Sequence, residues 1–131
     1  MTGSEMTKRA LEKLPPRIAE SCRNTASLYG GRINEIRLRK GSPASLTIRG
    51  ENIVLGISAT EAELEESVRT FCESSLYSHA DTICSGYIAA RGGFRVGVCG
   101  RAVVRGGEIQ SVTDISSLNI RIPERVIGCA D

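Results

Sequence analysis

The sequence predicts an α+β domain: an antiparallel or mixed sheet of roughly five to seven strands with helices packed on one face. Three observations predict it. Residues 86–123 (GYIAARGGFRVGVCGRAVVRGGEIQSVTDISSLNIRIP) read as a β-meander of strands joined by glycine turns. Residues 35–49 hold two shorter alternating runs, and residues 60–77 hold an apolar stripe at helical spacing.

Taken in order, residues 7–14 form a short helix that stops at Pro15-Pro16. Pro16 suits the first turn of a second helix, where its missing N–H is no loss, and Ile18, Ala19, Cys22 and Ala26 point inward from it. Gly30-Gly31 ends that helix. Ile36 and Leu38 then alternate with Glu35, Arg37 and Arg39 in a first strand. After a turn at Gly41-Ser42-Pro43, Leu46 and Ile48 alternate with Thr47 and Arg49 in a second. Gly50-Glu51-Asn52 reads as another turn, leading into the apolar stretch 53–57.

Thr60 and Glu63 make a capping box, and Glu61, Glu63, Glu65 and Glu66 crowd the first turns, where the helix dipole favours acids. Leu64, Val68, Phe71, Cys72 and Leu76 form the inward stripe, so this helix is expected to cover the apolar face of the sheet. Residues 78–85 read as a helical turn delivering the chain to the meander. There Gly92-Gly93 and Gly106-Gly107 supply the positive φ that hairpin turns require. Between them Phe94, Val96, Val98, Gly100, Ala102 and Val104 alternate with Arg95, Gly97, Cys99, Arg101, Val103 and Arg105. Leu118, Ile120 and Ile122 repeat the pattern against Asn119 and Arg121. Pro123 opens what reads as a further helix. The chain stops at Cys129-Ala130-Asp131 with no cap, which suggests one domain (residues 1–131) of a longer protein.

Composition excludes several classes. At 40% hydrophobic and 24% charged the chain is ordinary for a globular domain. It has no apolar run of membrane-spanning length and no signal-peptide core, so a cytoplasmic location is the expectation. Five cysteines and one histidine, His79, lack metal-ligand spacing, so no metal is expected. The single histidine, in a helix-end segment, reads as a capping or exposed residue. The acids of residues 60–66 read as a solvated helix start, with no base or nucleophile near them in sequence. There is no GxxxxGK[ST], GxSxG or HExxH, so no catalytic residue is assigned and no cofactor is expected in this chain.

The net charge of +2 conceals a segregation. Residues 1–59 carry ten Lys/Arg against five acids, residues 60–85 one against six, and residues 86–131 six against four. Fourteen of the basic residues are Arg and three are Lys. Arginine favours planar, bidentate contacts to carboxylate and phosphate. Arg37, Arg39, Arg49, Arg91, Arg95, Arg101, Arg105 and Arg121 all fall at odd positions, opposite the apolar even ones. Two readings of that face stay open: a solvated surface that discourages edge aggregation, and an interface. The stretch Arg91-Gly92-Gly93-Phe94 faintly imitates an RNA-recognition signature, but Gly93, Arg95 and Val98 stand where stacking aromatics belong. A nucleic-acid module on the arginine face is therefore an alternative, and nucleic acid is not the expected partner.

Three separated blocks, INEIRLRKGSPASL, GYIAARGGFRVGVCGRAVVRGGEIQSV and ISSLNIRIPERVIGCAD, resemble the stage III sporulation protein AA family, from about residue 11 to the end. The resemblance implies that these blocks form an N-terminal regulatory and oligomerisation domain. A RecA-like ATPase core related to type II and IV secretion ATPases would follow it, using ATP and Mg. It implies subunit contacts in a hexameric ring and a mother-cell cytoplasmic location beneath a channel joining mother cell and forespore. Membrane-embedded sporulation channel proteins would be partners, a structural adaptor that docks them being the second alternative. In related secretion ATPases this domain supplies arginines to a neighbour's nucleotide. Arg95 (FRVG) and Arg121 (NIRI) match that role by strand context, and Arg37, Arg39, Arg91, Arg101 and Arg105 are the remaining interface candidates.

Overall fold

A computed structural model describes residues 3–30, 32–73, 82–90, 93–105 and 108–123. In chain order the elements are α1 (Gly3–Leu11), α2 (Pro16–Leu28), β1 (Glu35–Arg39), β2 (Ser42–Ile48), β3 (Glu51–Ser58), α3 (Glu61–Glu73), β4 (Thr82–Ala90), β5 (Phe94–Arg105) and β6 (Glu108–Arg121). The six strands form one sheet in the order β3-β2-β1-β6-β5-β4. Among the described residues the strand pairings are antiparallel, and one isolated bridge, Lys40 to Ala59, is parallel. Two three-stranded meanders, each built from local hairpins, are therefore joined edge to edge by β1 and β6. The joint sets Ile36 opposite Ile120 and Leu38 opposite Leu118.

The helices lie on one face. Inward residues of α1 and α2 (Met6, Leu11, Ile18, Cys22) and of α3 (Leu64, Val68, Phe71) make one core with Ile36, Leu38, Leu46, Ile48, Phe94, Val96, Val98, Leu118 and Ile120. The α3 helix crosses from the β3 edge and packs over β6, β5 and β4, as its apolar stripe requires. Phe71 meets Phe94 edge to face with ring centroids 6.4 Å apart. Thr7, buried on α1, accepts a hydrogen bond from the Ile33 N–H at 3.0 Å and so fastens the first helix to the start of the sheet.

The capping box at α3 is present. The Thr60 N–H donates to Glu63 Oε1 at 3.0 Å, and the Glu63 N–H donates to Thr60 Oγ1 at 3.1 Å. Glu63 also accepts from Arg17 of α2, Nη2 to Oε1 at 2.6 Å and Nε to Oε2 at 3.1 Å, while Arg17 Nη2 donates to the Ser58 carbonyl at 2.6 Å. One arginine thus ties together the start of α2, the end of β3 and the start of α3.

Several sequence expectations are corrected. Residues 82–85 belong to β4, not to a helical turn; residues 78–81, with His79, lie outside the described residues. Glu51 and Asn52 are already strand, the turn being confined to Arg49 and Gly50, both at positive φ. Arg49 accordingly sits in a turn rather than on a strand face. Pro43 lies inside β2, tolerated because the β2–β3 register slips between Pro43 and Ser45. The predicted helix over 60–77 is described to Glu73; residues 74–77 and the helix expected after Pro123 lie outside the described residues.

The odd–even alternation also breaks in the long strands. Cys99 pairs with Ser117 but Arg101 with Thr113, so β6 carries extra residues, and β4 slips against β5 between Cys84 and Gly86 at the same level. Asp114 takes φ 54° and Gly100 φ 147° to make the bulge. The side of the sheet taken by residues beyond Gly100 does not follow from counting.

Candidate functional site: the arginine-bearing face of the sheet

With one face covered by helices, the other presents the odd-numbered residues at the centres of β1, β2, β5 and β6 and the even-numbered Asn52 and Val54 of β3. The cross-strand register arranges them in rows. Arg95 of β5 stands opposite Arg121 of β6, and Arg121 stands opposite Glu35 of β1. The next row sets Gly97 opposite Asn119 and Asn119 opposite Arg37; the third sets Cys99 opposite Ser117 and Ser117 opposite Arg39.

The two arginines singled out for a neighbour's nucleotide are therefore cross-strand partners. Both are exposed. Like charges directly opposite on a sheet repel, so an anion seated between them would be held by both. They line a shallow depression of about 350 Å³ together with Asn34, Glu35, Gly93, Ile122 and Pro123. Asn34 is fixed at its rim: its N–H donates to the Thr47 carbonyl at 2.8 Å, its carbonyl accepts from the Ile122 N–H at 2.9 Å, and Oδ1 accepts from the Arg49 N–H at 3.1 Å. Gly93 turns the chain into β5 at φ 88°, with Pro123 against the place a Cβ would occupy.

The other interface candidates divide. Arg37 is half-buried and committed to its neighbours. Its Nη1 donates to Thr47 Oγ1 at 3.1 Å and to Asn52 Oδ1 at 3.0 Å, and its Nη2 donates to Glu35 Oε1 at 3.3 Å. It links β1, β2 and β3 and fixes the Glu35 carboxylate. Arg39 is exposed, and among the described residues no carboxylate lies within 4 Å of it or of Arg121. Arg91 lies outside the described residues, as do the side chains of Arg101 and Arg105. Glu35 and Asn34 were missed by sequence reasoning. They precede the first strand's apolar pair, and only the β1–β6 joint brings them beside residues some 85 positions later.

Other reactive groups stand elsewhere. Cys22 is fully buried in α2, and burial pushes its thiol up to about 12. Cys99 is exposed in the third row of the outer face. Among the described residues no group of three His, Cys, Asp or Glu gathers closely enough to hold a metal ion. Nor, among them, is any helix long and apolar enough to cross a membrane.

An open antiparallel sheet with helices on one side and an arginine-bearing surface on the other defines an α+β domain. The profile of the family described as "Sporulation stage III, protein AA" matches residues 7–131, and the chain belongs to that family. It is 32% identical over 99 residues to Stage III sporulation protein AA of Bacillus subtilis (strain 168), an alignment covering 76% of this chain and 32% of the relative. The chain thus spans about a third of the length of the curated relative it matches. No solved structure matches it.

Proposed function

We propose that this chain is a non-catalytic N-terminal domain of a sporulation ATPase, making subunit contacts and offering Arg95 and Arg121 to nucleotide held by a neighbouring copy. The observation that carries the reading is the register that sets these two exposed arginines side by side at one depression. Paired guanidinium groups are suited to oxygens on a transferring phosphoryl group, where charge spreads in the transition state. ATP and Mg would be bound by the longer protein, with copies arranged in a hexameric ring. The ring would work from the cytoplasm of the mother cell on a membrane-embedded channel complex. The span of about a third of the curated relative leaves room for the motor in such a protein.

The test is turnover in the longer protein. Arg95→Ala and Arg121→Ala should each lower ATPase turnover about a hundredfold, with Arg→Lys at either position restoring little because the planar fork is lost. The stability of the domain should be unchanged or slightly raised, since each substitution removes a like-charge neighbour. Unchanged turnover in both alanine variants would refute the assignment.

A further inference from the structure

The geometry points to a second contact in the same depression: we propose that Glu35 reads the ribose hydroxyls of a nucleoside phosphate whose phosphates lie against Arg95 and Arg121. The inference rests on the phosphate-facing reading of those arginines and adds the sugar.

The lining of the depression is chemically two-sided. Arginine side chains only donate hydrogen bonds, and an ionised carboxylate only accepts them. A ligand satisfying both carries anionic oxygens at one end and hydrogen-bond donors at the other. Inorganic phosphate meets the first demand alone and is repelled by the carboxylate. A phosphorylated ribose meets both, and a carboxylate accepting from ribose hydroxyls is a recurrent solution in nucleotide-binding folds.

Glu35 is built for a fixed role. It is half-buried, its Oε1 accepts from Arg37 Nη2 at 3.3 Å, and Arg37 is itself pinned by Thr47 and Asn52 on the next two strands. Among the described residues its Oε2 has no hydrogen-bond partner. Arg95, Arg121 and Glu35 occupy three adjacent strands, so the outer two backbones lie about 10 Å apart, a span that one phosphate and one ribose fill.

The test uses the 131-residue chain, whose core is made from its own residues, titrated at millimolar ligand and followed by backbone amide NMR. The probes are ATP, 2′,3′-dideoxy-ATP and inorganic tripolyphosphate. ATP should shift the amides of residues 34–35, 93–95 and 121–122 and bind about tenfold more tightly than the dideoxy analogue. Glu35→Gln keeps an acceptor for Arg37 but replaces a charged acceptor by a neutral one. It should cut the preference for ATP over dideoxy-ATP roughly fivefold, while tripolyphosphate binds as well as before or better. Arg121→Ala should weaken all three ligands. Equal affinity for ATP and dideoxy-ATP, an equal gain for ATP and tripolyphosphate in Glu35→Gln, or no binding of any probe would overturn the proposal. The trans-arginine reading fails separately: it is lost if the longer protein's turnover ignores Arg95→Ala and Arg121→Ala, even where this chain still discriminates ribose.

Discussion

Gly100→Ala should be among the most damaging single-methyl additions to this domain. At φ 147° an L side chain is strained, and the added Cβ would lie 2.6 Å from both the Cα and Cδ1 of Ile115 and 2.7 Å from the Asp114 carbonyl oxygen. Ordinary carbon contacts are about 3.5–4.0 Å, so the overlap approaches an ångström, and two of the three atoms are backbone. Left-handed strain contributes about 1–3 kcal/mol and overpacking a similar amount, giving about 4 kcal/mol as a central figure. That is a large fraction of the roughly 5–15 kcal/mol that holds a domain folded, and corresponds to a fall in Tm of roughly 15 °C. The assay is urea and thermal unfolding followed by circular dichroism. Gly56→Ala is the control: it sits in β3 with nothing within 4 Å of the new methyl, and should be neutral or slightly stabilising. A Gly100→Ala cost below about 1 kcal/mol would refute the close approach of β5 to the β6 bulge.

Two further outcomes follow from the titratable groups. The Arg17 guanidinium holds the Glu63 carboxyl below the usual carboxylate range, helped by Thr60 and opposed by partial burial. A lowered native value means that this group's contribution is present above the unfolded pKa and is lost as pH falls through the folded one. The stability gap between the wild type and Arg17→Met should therefore be full at neutral pH and shrink below about pH 4.5. A gap that stays constant with pH would contradict the pairing. The Cys22 thiol, raised to about 12 by burial, should resist iodoacetamide in the native state while Cys99 reacts, with peptide mapping to tell them from the other cysteines. Because the native thiol is the harder to ionise, its contribution persists below the unfolded pKa and is lost as pH rises toward 12. Native-state labelling of Cys22 as fast as Cys99 would show that α2 does not pack as described.

What the sequence determined by itself is local. Alternation at Ile36/Leu38, Leu46/Ile48 and Phe94/Val96/Val98 specified strands and their buried side, because side chains change face at every residue. The stripe Leu64/Val68/Phe71 and the Thr60–Glu63 box specified α3 and its start, both being contacts within one or two turns. Pro16 opened α2 for the same local reason. The α+β class and the side carrying Arg95, Arg121, Arg37 and Arg39 follow from these patterns.

Only the tertiary structure decided how the pieces meet. The β1–β6 joint pairs residues more than 75 positions apart, and no periodicity encodes which edge of one meander finds which edge of the other. That joint adds Glu35 to the row of Arg95 and Arg121, while the β1–β2–β3 pairing makes Arg37 a clamp rather than an open contact. The Arg17–Glu63 bond spans 46 positions and was invisible for the same reason. The bulge at Gly100 and Asp114 ended the alternation that counting would have carried to Arg105: a register slip belongs to two strands at once.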